Sequence, residues 1–253
     1  MIARARVVVE VGPDGRSRLT CLRSEGPLVV RPTPEATSPG VVVHLVGGAG
    51  GPLGGDVLTI EVVVGPGAGL TVRTVAAAVV LPGPGPAPSQ VSVDAHVGDG
   101  GLLHWLPEPT VAASRCRHRT RARVVLGPGA RLRWREELVG GRYGEDGGSV
   151  SSRLSVDLDG RALLRHRLDL GPDHPAWASP SVGCGSRCAG SLLVVEPDWD
   201  AVPPGPMVLE ATSAVLPLAG PAVHVVALAP DAGGLRRLLD AGSEAVERTP
   251  APA

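Results

Sequence analysis

A short turn motif recurs along this 253-residue chain and constrains its fold more than any other feature. In each copy an apolar, strand-like run leads into a turn such as Gly-Pro-Gly or Gly-Asp-Gly, and a second strand-like run follows. The copies begin at Val9, Val62, Ala95, Val124 and Val156. The turn glycines of the last four copies follow one another at steps of 33, 29 and 33 residues: Gly65, Gly98, Gly127 and Gly160. Steps of this length indicate a repeated supersecondary unit.

Each copy is interpreted as a β-hairpin, because glycine and proline supply turn conformations and the flanking residues alternate between apolar and polar. A hairpin cannot bury its apolar face alone, so units at a fixed period are expected to stack on one another. We therefore predict an all-β fold of stacked β-sheet layers that resembles a β-helix or solenoid, with few short helices.

The helices are expected mainly near the C-terminus. Leu235, Leu238 and Leu239 recur at helical spacing within residues 231–249, which predicts one helix there. All-β architectures often exceed the usual domain size of about 100–200 residues. The chain is therefore expected to form a single β domain over residues 1–248, followed by a frayed tail at 249–253.

The charge balance argues against polyanionic partners. The chain has no lysine, and its 24 arginines stand against 25 acidic residues, which gives a net charge of −1. We expect neither a nucleic-acid nor a membrane partner on this basis. The local arginine cluster at residues 115–123 is interpreted as the exposed face of a strand whose alternate side chains point outward.

Cysteine usage and hydropathy indicate a cytoplasmic location. Four cysteines in a chain of this length, with no apolar leader expected, do not suggest a secreted disulfide framework. The longest apolar runs are shorter than the about 20 residues that a membrane-spanning helix requires. Three residues separate Cys184 from Cys188, and His174 could complete a metal site with them, but a loop that holds two thiols is the favoured interpretation.

Residues 44–58 contain six glycines and end in a strand-like run that follows Asp56. A phosphate-binding glycine loop requires a helix after it, so nucleotide binding is not predicted here. Two interpretations stay open. The block is either a tight corner between β-layers or, in addition, an aqueous opening beside Asp56.

Six stretches follow one another in a characteristic order: GPLVVRP (residues 26–32), the glycine block (44–58), VGPGAGLTVRT (64–74), HWLPEPTV (104–111), GARLRWREELVGGRYGE (129–145) and GSLLVV (190–195). Together they resemble the UreD/UreH family of urease accessory proteins. The resemblance covers about residues 26–195. It implies a β-helix-like stack of strands and a non-enzymatic, cytoplasmic accessory protein that is required for nickel incorporation into apo-urease.

The resemblance also implies partners and site residues. The partners would be UreF-type and UreG-type accessory proteins and apo-urease. No tightly bound cofactor is expected, whereas transient nickel(II) is. Asp56, Glu136 and Glu145 match acidic positions of the family, and His166 stands where members often have an acid; these four residues are the predicted transient nickel path. Carboxylate and imidazole groups are suitable nickel ligands.

Residues 74–82 depart from the family, because an apolar run replaces its usual polar stretch. Two alternatives to nickel delivery are therefore kept: a β-solenoid protein-binding module without a metal role, and a metal-dependent enzyme. The sequence has no phosphate-binding loop, no dense ligand cluster and no G-x-S-x-G motif, which favours the non-enzymatic interpretation.

Overall fold

A computed structural model describes residues 1–35, 38–199 and 204–248. The predicted tail at 249–253 lies outside the described residues. The first nine strands are β1 (Ile2–Val11), β2 (Ser17–Ser24), β3 (Leu28–Pro32), β4 (Val41–Gly47), β5 (Val57–Val64), β6 (Gly69–Thr74), β7 (Ala78–Val80), β8 (Ser89–Val97) and β9 (Leu102–Leu106). The others are β10 (Thr110–Ala112), β11 (Arg117–Leu126), β12 (Arg131–Gly140), β13 (Ser149–Leu158), β14 (Arg161–Leu170), β15 (Cys188–Val195), β16 (Met207–Glu210), β17 (Ser213–Pro217) and β18 (Ala222–Ala229).

These strands form two sheets that wind into a β-solenoid of about four turns. The first sheet, sheet A, has the order β14-β13-β11-β8-β5-β1-β2 among the described residues. The second, sheet B, has the order β16-β17-β18-β15-β12-β9-β6-β4-β3, and the short strands β7 and β10 pair beside β12. The central strands of both sheets run parallel. This architecture confirms the predicted all-β fold of stacked layers.

Alternating side chains place the main core between the two sheets. In β1 the side chains of Ala3, Ala5, Val7 and Val9 are buried and the residues between them are mostly exposed. Successive side chains of a strand point to opposite faces, so one face of each sheet turns inward. The inward residues of both sheets form a single aliphatic cluster.

The hairpin interpretation is wrong for three of the five turn motifs. Those that begin at Val62, Ala95 and Val124 connect a strand of sheet A to a strand of sheet B, so the flanking strands do not pair. The first and fifth motifs are hairpins, with β1 antiparallel to β2 and β13 antiparallel to β14. The three middle turns are corners of the solenoid, stacked on one another by backbone hydrogen bonds such as that from Gly98 N–H to Val64 O, at 2.8 Å.

The glycine block of residues 44–58 also forms a corner, between β4 and β5. Gly54 N–H donates to Leu81 O at 3.1 Å, and Leu81 N–H donates to Pro52 O at 2.9 Å, so this corner is stacked on the next coil. A Cβ atom on Gly54 would lie 2.6 Å from the backbone nitrogen of Gly83. The close approach of two backbones explains why glycine is required at position 54.

The Gly54→Ala variant is expected to lose about 2–3 kcal/mol of unfolding free energy, because the added methyl group would separate the two coils. Gly50→Ala is a matched control in the same block, since a Cβ atom there has no neighbour within 4 Å. That control should change the stability by less than about 0.5 kcal/mol. Urea denaturation followed by circular dichroism measures both variants. Equal stabilities would contradict the stacked corner.

The C-terminal part adds a second layer on the outside of sheet B. Helix α1 (Ala232–Glu247) begins after Asp231, whose side chain accepts a hydrogen bond from Gly234 N–H at 2.7 Å. Its apolar face packs on β15 and β18 and forms a second core. All eight residues of β15 are buried, because α1 covers one face and the solenoid interior the other. The helix predicted within residues 231–249 is confirmed.

Within the described ranges, no helix has the length and apolar character needed to cross a membrane.

Candidate functional site

A cavity of about 540 Å³ lies between the two sheets. Its wall is built by inward-facing residues of β5, β8 and β11 on one side and of β9 and β12 on the other. Most of these residues are aliphatic, and Trp105 and Trp134 stack in the wall with their ring centroids 4.9 Å apart. The polar and charged side chains of the wall are those of Asp56, Thr74, Glu108, Thr110, His118, Thr120, Arg121, Arg135, Glu136 and Glu137. The structure thus brings Asp56 and Glu136, two of the four predicted nickel-path residues, to one interior space.

Glu136 is a half-buried carboxyl group in the cavity wall. It lies on β12, and alternation turns it inward, on the same face as Trp134. The Ser152 hydroxyl donates to Glu136 Oε1 at 3.0 Å. Burial raises the pKa of Glu136, and the Ser152 hydroxyl and the Trp134 indole oppose this only in part. Because the charged form is disfavoured, this group favours binding a proton or a cation.

The pKa of Asp56 is shifted in the opposite direction from that of Glu136. Its Oδ2 accepts a hydrogen bond from Leu53 N–H at 2.9 Å, and the amino group of Met1 lies 2.6 Å from its Oδ1. Burial raises the pKa of Asp56, but the Met1 amine and the Leu53 N–H outweigh that effect, so the pKa is lowered overall. Asp56 therefore carries a negative charge at the cavity wall and also fixes the end of the corner.

The glycine block fits both interpretations that the sequence left open. It is a corner between β4 and β5, as described above. Gly50, Gly51 and Pro52 also line the cavity beside Asp56. The bare backbone therefore allows close stacking of two coils and leaves space at the cavity wall.

Glu145 does not line this cavity. Both of its carboxylate oxygens accept hydrogen bonds from the Arg142 guanidinium at 2.9 Å, and Oε1 also accepts from Ser114 N–H at 3.2 Å. The hydrogen bonds from Arg142 lower the pKa of Glu145 to about 2. In this structure Glu145 closes the turn after β12.

His166 also lies away from the cavity wall, where it contacts His224. The two rings meet edge to face with centroids 4.7 Å apart. Burial lowers the pKa of both imidazoles, that of His224 to about 3. His166 Nδ1 and His224 Nε2 are buried and have no hydrogen-bond partner among the described residues. No local sequence pattern connects these two residues, because β14 and β18 belong to different sheets.

Several polar residues of the cavity wall were missed by the sequence analysis. His118 and Thr120 lie within the arginine-rich segment that was interpreted as an exposed strand face. The alternation in β11 confirms that interpretation for the arginines and places His118 on the buried side, where it is 2.8 Å from Ser89 Oγ. Burial lowers the pKa of His118 to about 4. The same alternation was the signal that could have identified both residues.

The structure also bears on the cysteine pair. Cys188 is buried at the start of β15, whereas Cys184 is exposed, and both are free thiols. His174 lies 3.7 Å from Asp169 Oδ2. Within residues 1–35, 38–199 and 204–248, no group of three or more His, Cys, Asp or Glu side chains is placed to hold a metal ion.

The Glu136→Gln variant is expected to be more stable than the parent protein at neutral pH. Since burial raises the pKa of Glu136 above its ordinary value of 4.5, the folded state binds this proton more tightly than the unfolded state. The resulting stabilisation is fully present below the ordinary pKa and is lost as the pH rises through the folded pKa. Glutamine does not ionise and avoids this loss.

The measurement is urea denaturation of both proteins between about pH 4 and pH 8. The stability advantage of Glu136→Gln should grow with pH and then level off. Glu10→Gln, at an exposed position near the end of β1, is the matched control and should follow the parent protein. An advantage that does not change with pH would show that Glu136 is not desolvated.

Comparison with known proteins agrees with the resemblance. The family model described as UreD urease accessory protein matches residues 2–251. A urease accessory protein UreD of Parafrankia sp. (strain EAN1pec) is 45% identical over an alignment that covers 94% of this chain and 86% of that protein. The UreD of Frankia alni is 45% identical, with 94% and 91% covered. UreD 3 of Streptomyces griseus subsp. griseus is 44% identical, with 95% of each chain covered. The chain belongs to the UreD family of urease accessory proteins.

Proposed function

We propose that this protein acts in urease maturation by supporting nickel incorporation into apo-urease. In this proposal it is a non-enzymatic scaffold that forms a complex with UreF-type and UreG-type accessory proteins in the cytoplasm. Nickel(II) is its transient cargo and passes through the interior of the solenoid. Membership in the UreD family supports the role in maturation. The observation that carries the nickel path is the interior cavity bordered by the carboxyl groups of Asp56 and Glu136.

The two carboxyl groups suit an ion that has to move on. Nickel(II) accepts oxygen and nitrogen ligands, and a tight site of three or four such ligands would retain it. The described residues contain no such cluster. A few separate carboxyl groups hold a cation less tightly than a site of three or four ligands would. The low dielectric of the mostly aliphatic wall strengthens each single contact enough to attract the ion.

The opposite pKa shifts give the two groups different tasks. Asp56 has a lowered pKa and stays ionised, so an arriving cation would replace the Met1 amino group as its partner. Glu136 has a raised pKa, so an arriving nickel ion would displace its proton and be released when that proton returns. Ser152 keeps one carboxyl oxygen of Glu136 oriented during this exchange. Contacts of nickel with Glu145 and His166 remain a prediction, and they would occur outside this cavity.

Co-expression tests the proposal. The urease subunits and the other accessory proteins would be produced with and without this chain, and the nickel content of the purified urease would be measured. We expect nickel content and urease activity to fall strongly without it. Unchanged nickel content in its absence would overturn the role in nickel incorporation. A plain protein-binding module would instead leave nickel content unchanged when Glu136 alone is replaced.

A further inference from the structure

Three arginines lie side by side on the outer face of sheet A. Arg121 of β11 is in register with Arg153 of β13, and Arg153 is in register with Arg167 of β14. All three are exposed. We name these three residues the arginine row. Like charges directly opposite one another on neighbouring strands destabilise a sheet. The arginine row therefore lowers the stability of sheet A, and the fold alone does not explain its presence.

The arginine row is only partly neutralised within the described residues. Arg167 has an ion pair with Asp169, at 2.8 Å. Arg121 and Arg153 have no acidic partner within 4.0 Å in residues 1–35, 38–199 and 204–248. Other arginines of the same sheet do have partners, such as Arg117 with Asp173 and Arg165 with Asp157. Two adjacent guanidinium groups are thus free to bind external carboxylates.

The arginine row lies in a polar groove of about 500 Å³. Arg119, Ser149 and Ser151 also line this groove. The wall of the groove is mainly arginine and serine, whereas that of the adjoining interior cavity is mostly aliphatic. The three arginines of the row are strand positions of β11, β13 and β14, so hydrogen bonding between the strands fixes their backbone positions.

Acidic residues border the arginine row on both sides. In the next row along the strands, Glu61 is in register with Asp94, and Asp94 with Arg123. On the opposite side lie Asp169 and Asp173. A nucleic acid carries a continuous line of negative charge and would meet these carboxylates on either side. A ligand with a few discrete carboxylates matches the pattern better.

The spacing indicates the form of such a ligand. Neighbouring strands are about 4.7–4.9 Å apart, which sets the distance between successive arginines of the row at the backbone. Acidic side chains at positions i, i+4 of a helix are about 5–6 Å apart. Acids on one face of an extended peptide are about 6.5–7 Å apart. The helical spacing is the closer match.

We propose that the arginine row is a docking surface for an acidic helix of a partner protein, with carboxylates at every third or fourth position along one face. Each carboxylate accepts hydrogen bonds from one or two guanidinium groups, which is the strong form of charged hydrogen bond. Arg121 also lines the interior cavity, so the two spaces adjoin at β11, but binding at the arginine row does not require the proposed nickel path.

The test uses the full chain and two fluorescent alanine-rich peptides of equal composition. One has glutamates at every fourth position, and the other has the same glutamates at scattered positions. We expect the first peptide to bind about tenfold more tightly than the second at low salt. Equal affinities would overturn the helical match. Tighter binding of a duplex DNA probe than of either peptide would overturn the assignment to a protein ligand.

Variants locate the site. Arg121→Ser combined with Arg153→Ser should weaken binding of the first peptide about tenfold. Arg23→Ser combined with Arg31→Ser removes the same charge at exposed positions outside the row and should weaken it less than about twofold. The first double variant should melt at or above the parent temperature, because like-charge repulsion is relieved. Equal losses in both double variants, or no loss in the first, would overturn the docking surface.

Discussion

The Trp134→Ala variant is expected to lose about 3–5 kcal/mol of unfolding free energy. Trp134 is 1% exposed and is the largest fully buried side chain of the core. It stacks on Trp105 with an angle of 9° between the ring planes, and both rings form part of the cavity wall. Truncation to alanine would remove this contact and enlarge an existing cavity. The surrounding side chains could not collapse far enough to fill the added volume.

Trp134→Phe is the matched control for this prediction. It keeps an aromatic ring against Trp105 and removes only part of the volume, so we expect a loss of about 1–2 kcal/mol. Urea denaturation of the two variants and the parent protein measures the difference. If alanine and phenylalanine at position 134 give equal stabilities, the stacked pair is not a support of the solenoid.

A second large effect is expected where helix α1 meets sheet B. Glu137 faces outward from β12, and its side chain is fully buried under the helix. Its Oε1 accepts hydrogen bonds from Arg135 at 2.7 Å and from Arg236 of α1 at 3.4 Å. Replacing Glu137 by alanine would leave the mostly buried Arg135 and the partly exposed Arg236 with fewer acceptors.

We expect Glu137→Ala to cost about 2–3 kcal/mol, less than the loss of a fully isolated buried pair, because other acids remain. Arg135 keeps Asp240 at 2.7 Å, and Arg236 keeps Glu108 at 2.8 Å. Asp240→Asn is the control: its side chain is 53% exposed, so its loss should cost less than about 1 kcal/mol. Thermal unfolding followed by circular dichroism distinguishes them. A larger loss in Asp240→Asn would contradict the burial of Glu137.

The fold class could be predicted from the sequence because the signals for it lie in short, local stretches of residues. Turn glycines at a regular period and alternating apolar residues indicate strands, and the regular period indicates stacking. Whether a turn closes a hairpin or rounds a corner depends on which sheet the next strand joins. That choice is made by long-range pairing, such as that of β5 with β8 and of β6 with β9. The turns at Gly65 and Gly160 look alike in sequence for this reason, although only the second closes a hairpin.

The site was predictable to a similar extent. Family resemblance identified Asp56 and Glu136, and the fold brings both to the cavity. The burial of Glu136 and its neighbour Ser152 could not be predicted, because they lie on opposite sheets. The His166 and His224 contact and the arginine row depend on register between distant strands in the same way. Alternation within β11 was a local signal, and it placed His118 on the buried face.

The nickel content of urease matured with the Glu136→Gln variant tests the central claim most directly. The parent protein, Glu136→Gln and the Glu10→Gln control would each be co-expressed with urease and the other accessory proteins. We expect Glu136→Gln to assemble with its partners and to lower urease nickel about tenfold or more, as the loss of a metal contact does, while Glu10→Gln gives full loading. Because Glu136→Gln is expected to be the more stable protein, unfolding would not explain the loss. Full nickel loading of urease by Glu136→Gln would contradict a nickel path through the interior of the solenoid.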